Sequence, residues 1–205
     1  CYFNNYIQAY GNNGQSGVKV PNCVGDIAVQ VYTSFAFGAK SLDFYHYEGG
    51  EEEPSMIVNN KKTDVYYYVQ EAIQDFKAWD HGLLSFEQTG VKTFVGSTNE
   101  SGRNENFDGM AKYALESLPG VKSVSSRLDT LIGHLVDGEN RNGYMIVNFD
   151  QPSNGGIDVV DITFDGGMTK ALVYNQGEES IVDLADGFAR IRLQPGQGAF
   201  VIPYK

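Results

Sequence analysis

The chain has 205 residues, of which 41% are hydrophobic and 20% are charged, so it is long enough and apolar enough to fold around a sizeable core. Its formal net charge of −11, without a Lys/Arg stripe, argues against a phosphate-backbone surface, and no nucleic acid partner is expected. No apolar run approaches the ~20 residues that a membrane-spanning helix needs, so no membrane span is expected.

The first predicted elements are a strand, a helix and a second strand. The segment Tyr2–Tyr10 is rich in strand formers, and a Gly/Asn-rich loop follows it. Apolar residues then recur at spacings of three and four from Val24 to Gly38, which predicts an amphipathic helix that Gly38 ends. The segment Ser41–Tyr47 follows without hairpin chemistry. This order predicts two adjacent parallel strands joined through the helix.

A second long helix is predicted after a polar loop over Gly49–Lys62. Either Thr63 or Asp64 can cap it, and apolar residues hold helical spacing as far as Leu83. Beyond Phe86 the pattern changes to short β-rich segments between Asp-Gly and Pro-Gly turns, which is typical of an antiparallel sandwich. We therefore divide the chain near residue 88, into residues 1–88 and residues 89–205.

Nine strands are predicted in the second part, and the last two are expected to pair as a hairpin across Pro195–Gly198. In that hairpin, Ile191 and Leu193 are expected to face inward and both flanking arginines outward. The predicted strands are Val91–Val95, Val121–Arg127, Thr130–Val136, Gly143–Phe149, Ile157–Phe164, Lys170–Tyr174, Glu179–Leu184, Phe188–Leu193 and Ala199–Pro203.

The predicted fold class is α+β: a partial (βα) barrel end, with two parallel strands and two helices, followed by an antiparallel β-sandwich. Two βα units cannot close a parallel barrel, which needs eight. Two parallel strands also cannot bury both of their faces. The front of the chain therefore resembles the end of a barrel whose beginning is absent.

Polar and aromatic residues gather at the C-terminal ends of the two predicted parallel strands, where ligands bind in parallel sheets. These candidate binding residues are Gln8, Tyr10, His46, Tyr47 and Glu48. Glu48 is the carboxylate of the set.

The sequence contains few other motifs for metal binding or catalysis. The three histidines have no metal-ligand spacing, and Asp158, Asp161 and Asp165 lack EF-hand spacing, so we interpret these three as exposed strand and turn residues. No nucleophile elbow or phosphate loop occurs, so no metal or other cofactor is expected.

Several motifs resemble a known family. In order, YIQAY, a helix ending in SFAFGAK and then SLDFYHYEG look like the last two βα units of a TIM-barrel glycoside hydrolase, closest to the beta-galactosidase-like enzymes. The tail motifs GYMIVNF and DGFARIRLQPGQGAFVI are similar to the small β-domain that closes many such enzymes. The resemblance covers nearly the whole chain, but only as a C-terminal portion.

The resemblance implies that the catalytic residues lie elsewhere. The family's acid/base glutamate lies on strand four, which this chain does not contain. The strand that carries the nucleophile corresponds to YIQAY, which offers Gln8 and no carboxylate. Because glycoside hydrolysis normally needs two carboxylates, the chain alone should be inactive and its catalytic residues remain unknown. The implied partners are a carbohydrate, bound by the five candidate residues, and the remainder of the parent barrel.

An alternative is a noncatalytic β-rich module that binds glycan or protein, with the front helices as its own packing layer. Parallel front strands with uncovered helix faces favour the enzyme portion, whereas one closed core shared by helices and sandwich favours the module. Because the chain begins with Cys1 and not Met, we expect a processed product, extracellular or periplasmic, with a cytoplasmic location left open. Cys1 and Cys23 form either a disulfide or two separate thiols.

Overall fold

The computed structural model describes residues 3–12, 18–77 and 80–205. Its helices are α1 (Val24–Ala36), α2 (Asp64–Lys77), α3 (Asp80–Leu83) and α4 (Glu105–Met110). Its strands are β1 (Phe3–Gln8), β2 (Ala39–Tyr45), β3 (Glu48–Gly49), β4 (Ile57–Val58), β5 (Lys61–Lys62), β6 (Phe86–Phe94), β7 (Val121–Ser126), β8 (Thr130–Asp137), β9 (Asn142–Asn148), β10 (Asp158–Phe164), β11 (Lys170–Asn175), β12 (Glu178–Asp183), β13 (Phe188–Leu193) and β14 (Gly198–Tyr204). The α+β class is confirmed.

The front of the chain forms the predicted parallel pair. Strand β1 lies beside β2 in parallel register, with Tyr6 opposite Asp43 and Gln8 opposite Tyr45, and α1 connects the two strands. Gly38 follows the helix with φ +88°, as expected of a residue that ends one. The residues Tyr2, Cys1 and Trp79 lie outside the described part of the chain, so the start of the predicted strand and the predicted disulfide alternatives stay predictions.

The rest of the chain forms two antiparallel sheets, as the turn spacing predicted. The larger sheet has the order β12-β11-β14-β9-β8-β6, and the smaller has the order β13-β10-β7. From β7 to β14, every predicted strand is present with ends that agree within one or two residues. The polar loop before α2 adds a small sheet of β3, β4 and β5.

The predicted terminal hairpin is wrong. Strand β13 pairs with β10, while β14 pairs with β11 and β9, so the last two strands lie in opposite sheets. The turn between them carries the chain across the sandwich, and its Gly196 has φ +72° and would place a Cβ 2.3 Å from Gly25 O of α1. The turn is thus packed against the start of a helix, which a simple hairpin turn would not be. The predicted alternation is confirmed, because Ile191 and Leu193 are buried and Arg190 and Arg192 are exposed.

Two apolar cores lie on the two faces of the larger sheet. One core joins that sheet to the front of the chain, and it includes Ile7 of β1, Val31 of α1, Val69 of α2 and Leu131 of β8. The other fills the space between the two sheets of the sandwich. The larger sheet is therefore the layer that holds both the helices and the smaller sheet.

Residue 88 lies within β6, a strand of the larger sheet. The division into residues 1–88 and 89–205 stays a prediction. A lysine joins the two parts at this point, because Lys40 Nζ donates to the carbonyl of Phe86 and lies 3.4 Å from that of Leu84. Burial lowers the pKa of Lys40, against the opposing effect of Glu87.

Candidate functional site

The C-terminal ends of β1 and β2 are held together by backbone contacts. Ala9 N donates to Tyr45 O at 2.7 Å, which continues the parallel ladder past the end of β1. The loops that follow the two strands also meet, since Gly11 N donates to Pro54 O at 2.9 Å and Asn12 Nδ2 lies 3.0 Å from Glu53 Oε1. The side chains at the two strand ends therefore share one surface.

Three rings form an aromatic cluster at this surface, which we define as Tyr10, Tyr45 and His46. The ring centroids of Tyr10 and Tyr45 are 5.4 Å apart, those of Tyr10 and His46 are 5.2 Å apart, and those of Tyr45 and His46 are 5.0 Å apart. These separations are typical of direct aromatic contact. The structure thus brings two predicted site residues together and adds Tyr45, which the predicted set omitted.

The imidazole of His46 is oriented by its own chain. Its Nδ1 lies 2.6 Å from Glu48 O, and because a carbonyl can only accept, Nδ1 carries the hydrogen. In the neutral ring this leaves Nε2 as an acceptor. His46 can therefore accept a hydrogen bond from a hydroxyl group at the strand ends.

The side-chain amide of Gln8 donates hydrogen bonds to the backbone of the loop that follows it. Its Nε2 donates to Tyr10 O and to Lys19 O, both at 2.8 Å. Both amide hydrogens are thus used within the protein, and Oε1 is the atom that remains for a ligand. On the other side, Gln30 of α1 accepts from Gln8 N at 2.8 Å.

The other two predicted site residues lie at the margin of the cluster. Tyr47 is 59% exposed and lines a groove together with Phe44 and Met56. Glu48 is exposed and forms part of β3, which pairs with β4. Among the described residues, Tyr47 has no ring contact with the aromatic cluster, and Glu48 contacts it through the backbone carbonyl that accepts from His46 Nδ1.

One face of the β1–β2 pair is exposed. It extends from the aromatic cluster along the two strands toward their N-terminal ends. We define this open face as Asn4, Tyr6, Asp43 and Tyr45. Tyr6 is 68% exposed and Tyr45 is 54% exposed, and Asn4 Nδ2 donates to Asp43 Oδ2 at 2.6 Å. Sequence reasoning overlooked Asp43, although its two-residue spacing from Tyr45 is the signal that puts both on one face of a strand. The face offers a carboxylate, an amide and two phenol rings.

The opposite face of β2 and the flanks of the pair are apolar. A groove of about 420 Å³ runs between β2 and the helices α2 and α3, and Leu42, Phe44 and Phe76 contribute to its lining. On the other flank, Val29 and Phe37 of the α1 region line a groove of about 380 Å³. Within the described residues, β1 and β2 pair only with each other, so each has one open edge.

The aspartate triplet is not arranged as expected. Asp158 is fully buried, whereas an exposed strand position was expected. It accepts from Arg127 N at 3.1 Å, Leu128 N at 2.9 Å and Thr130 Oγ1 at 2.6 Å, so these donors replace water around it. Burial raises the pKa of Asp158, and the hydrogen bonds oppose that shift.

No group of three or more His, Cys, Asp or Glu residues among those described is placed to hold a metal ion. Across the described ranges, no helix is both long enough and apolar enough to cross a membrane.

Comparisons with known proteins give a distant structural likeness and no sequence match. No protein-family model matches the chain, and no curated protein matches it. Among solved structures, the chain is similar to an Anoxybacillus alpha-amylase described as a new glycosyl hydrolase subclass, with 12% sequence identity and a TM-score of 0.47 over 89% of this chain. The chain spans 33% of that protein. That protein is an alpha-amylase, so the beta-galactosidase-like part of the motif resemblance stays a prediction, and a likeness this distant carries no argument about activity.

Proposed function

We propose that the chain is the C-terminal part of a carbohydrate-active enzyme of the glycoside hydrolase type. In this proposal the ends of β1 and β2 form one wall of a sugar site, and the sandwich supports them. The observation that carries the proposal is the parallel pair itself, whose C-terminal ends hold the aromatic cluster and whose two outer edges are open among the described residues.

The open edges and apolar flanks support a missing remainder of a parallel barrel. Parallel sheets occur almost only with both faces covered, and strands in a closed barrel have no free edge. The grooves beside β2 and α1 would then receive side chains from neighbouring strands and helices of the parent. The occupant we propose for them is the remainder of that barrel.

The side chains at the strand ends suit a sugar. The Tyr10 and Tyr45 rings can pack against the apolar face of a pyranose, and His46 Nε2 can accept from a hydroxyl. Of the predicted set, Gln8 contributes Oε1, and Tyr47 and Glu48 contribute at the margin. Hydrolysis normally requires two suitably placed carboxylates, whereas Asp43 accepts a hydrogen bond from Asn4 and Glu48 lies at the margin of the site in β3. The chain alone is therefore expected to bind without turnover.

Two finer proposals rest on the sequence alone. A beta-galactoside substrate follows from the motif resemblance, and we also propose an extracellular or periplasmic location. The substrate proposal is tested by comparing the hydrolysis of aryl β-galactosides and aryl α-glucosides by the full-length parent. Faster hydrolysis of the β-galactosides supports it, and faster hydrolysis of the α-glucosides contradicts it.

A noncatalytic module that binds glycan or protein remains the second candidate, because one specific observation favours it. Residues of α1 and α2 share a core with the larger sheet, so the helices are a packing layer of the sandwich. The parallel strands favour the enzyme portion and the shared core favours the module. The two candidates are distinguished by measuring glycoside hydrolysis by the full-length parent. Hydrolysis that depends on residues of this chain supports the enzyme portion and contradicts the noncatalytic module.

The experiment compares the full-length parent with its His46→Ala variant. Loss of one neutral hydrogen bond to a sugar hydroxyl is worth ~1 kcal/mol, so kcat/KM for the best aryl glycoside is expected to fall roughly fivefold. The matched control is His81→Ala, because His81 is an exposed histidine of a different element, α3. The 205-residue chain alone should show no turnover above background.

Two outcomes contradict the proposal. Unchanged kcat/KM in a folded His46→Ala parent removes His46 from the sugar site. Turnover by the isolated chain shows that its own residues suffice, and the barrel remainder is then unnecessary.

A further inference from the structure

The smaller sheet of the sandwich has one face in the core and one face in solvent. On β13, Phe188, Arg190 and Arg192 are exposed and alternate with buried residues. In the strand register, each of these three residues lies opposite an outward-facing residue of β10. On the other side of β10, that residue lies opposite an outward-facing residue of β7 or, in one row, opposite Arg127, which follows β7. These rows are Arg192–Val159–Arg127, Arg190–Asp161–Ser125 and Phe188–Thr163–Ser123.

The middle row is electrically neutral. Arg190 Nε and Nη2 donate to the two carboxylate oxygens of Asp161, both at 2.7 Å, in a bidentate pair. The guanidinium also lies 5.9 Å from the centroid of the Phe188 ring. The pair with Asp161 therefore orients Arg190 beside the Phe188 ring without adding net charge.

The first row is cationic, and we call Arg127 and Arg192 the arginine row. Neither guanidinium has a carboxylate within ion-pair distance among the described residues, and Arg127 Nη1 donates only to the carbonyl of Ile157, at 3.3 Å. The remaining arginines differ, because Arg103 is paired with Asp108 and Arg141 with Asp137. A chain of net charge −11 thus leaves two adjacent cations unneutralised on one flat face.

The geometry of the arginine row fits separate anionic groups on an extended ligand. Neighbouring strands lie about 4.8 Å apart, so two strands separated by a third place their residues roughly 10 Å apart. A guanidinium binds a carboxylate in a planar, bidentate way. Beyond the row, the face presents the hydroxyl groups of Ser123, Ser125 and Thr163 and the 39% exposed ring of Phe188.

We propose that this outer face binds an anionic polysaccharide that carries carboxylate groups. Its carboxylates bind Arg127 and Arg192, and a sugar ring packs beside Phe188. Charge complementarity favours an anionic ligand. The serine and threonine hydroxyl groups can hydrogen-bond sugar hydroxyls, and the exposed Phe188 ring can pack against the apolar face of a sugar. A nucleic acid fits less well, because a continuous phosphate backbone needs a stripe of Lys and Arg residues, and this chain has no such stripe. The site lies on a different sheet from the strand-end site and does not depend on it.

The test is calorimetric titration of the 205-residue chain at low ionic strength with trigalacturonate and with its fully methyl-esterified form. The two probes share one sugar backbone and differ in charge. Trigalacturonate is expected to bind, with affinity that falls as salt is added, and the ester is expected to bind at least tenfold more weakly.

The double variant R127A/R192A is expected to raise the trigalacturonate dissociation constant about tenfold or more, since charge-assisted hydrogen bonds are lost. The matched control R103A/R141A removes two arginines that are already paired, and its affinity should stay within twofold of the unchanged chain. The double variant R127Q/R192Q removes both charges but keeps polar side chains. If its melting temperature equals that of the unchanged chain, a loss of trigalacturonate binding does not come from a loss of folding. His46→Ala should leave trigalacturonate binding unchanged.

The proposal is overturned by no binding of trigalacturonate at low salt, by equal binding of the methyl ester, by an equal loss of affinity in R103A/R141A, or by equal or tighter binding of a DNA duplex. A loss of binding in His46→Ala places the anionic sugar in the strand-end site instead, and it overturns this assignment while leaving the proposed function standing.

Discussion

Gln8 and His46 lie at neighbouring strand ends, yet their side chains have different freedom. The amide of Gln8 is committed to two carbonyls of the following loop, whereas His46 keeps Nε2 free of hydrogen bonds within the described chain. The difference arises because a side-chain amide reaches the backbone of a returning loop, and an imidazole held through Nδ1 points its other nitrogen away. At the residue scale, Gln8 is expected to contribute to stability and His46 to binding.

Replacing Gln8 by alanine should lower the free energy of unfolding by about 1–2 kcal/mol, because two backbone carbonyls lose their donors. Urea denaturation of the 205-residue chain measures the change. Gln70→Ala is the matched control, since Gln70 is an exposed glutamine on α2, and its effect should be near zero. Equal effects of the two substitutions would show that the loop does not depend on the Gln8 amide.

A buried histidine in the larger sheet links stability to pH. His134 is 2% exposed, its Nε2 lies 3.0 Å from Asn142 Oδ1, and its Nδ1 is in contact with Thr89 Oγ1. Burial lowers the pKa of His134, and the hydrogen bond to Asn142 opposes the shift. Below pH ~6.5 the unfolded chain therefore binds a proton that the folded chain resists, and stability falls as the pH falls toward the folded-state pKa.

The variant His134→Gln should reduce this acid sensitivity. A glutamine offers a donor and an acceptor but does not titrate, so the drop in urea midpoint between pH 7.5 and pH 5.5 should be smaller than in the unchanged chain. His81→Gln, at an exposed position, should leave the drop as it is. An undiminished drop in His134→Gln would assign the acid sensitivity to other groups.

At the element scale, α1 is the helix that connects the front of the chain to the sandwich. Its C-terminal end lies directly on β8, where a Cβ on Gly133 would come 2.3 Å from Ala36 O. Its N-terminal end meets the β13–β14 turn, where a Cβ on Gly25 would come 2.7 Å from Pro195 O. Both contacts involve backbone atoms, which cannot rotate away. The helix position is thus determined at both ends by glycines.

The substitution Gly133→Ala should lower stability by about 1–3 kcal/mol, because the added methyl group forces α1 away from the sheet. Thermal and urea unfolding measure the loss. Gly138→Ala is the control, since a Cβ there meets nothing within 4 Å, and it should be nearly neutral. A neutral Gly133→Ala would mean that α1 can shift on the larger sheet at little cost.

At the scale of the whole molecule, the larger sheet is enclosed on both faces, whereas the β1–β2 pair is enclosed on one. The central strands β8, β9 and β14 each pair with a strand on either side, and β1 and β2 each pair with one. Local opening of the front pair therefore breaks fewer contacts. Stability should differ across the molecule accordingly.

Hydrogen exchange should report this difference. The amides of β1 and β2 are expected to exchange at least tenfold faster than those of β8 and β9 in the isolated chain, because their opening does not require the sandwich to open. Peptide-level mass spectrometry measures the rates. Equal protection of the four strands would show that the front pair unfolds only with the whole molecule, as a closed module does.

The sequence by itself determined the local structure of this protein. Periodicity and turn residues are short-range signals, and they predicted α1 and the strands β1, β2 and β7 to β14, because each element depends on neighbours within a few residues. The same alternation predicted the inward side of β13 correctly. The predicted strand order also put Tyr10 and His46 at the same edge, since the C-terminal ends of adjacent parallel strands meet there.

Only the tertiary structure decided which strands pair across long separations and which polar groups are buried. The Pro195–Gly198 turn has the chemistry of a hairpin, but it packs against α1 and the strand that follows it, β14, lies in the other sheet. Asp158 has the sequence context of an exposed strand residue, yet donors from a distant strand end surround it. The arginine row likewise exists only because register aligns Arg192 and Arg127 across β10. Each of these depends on contacts between residues far apart in the chain, for which local patterns carry no signal.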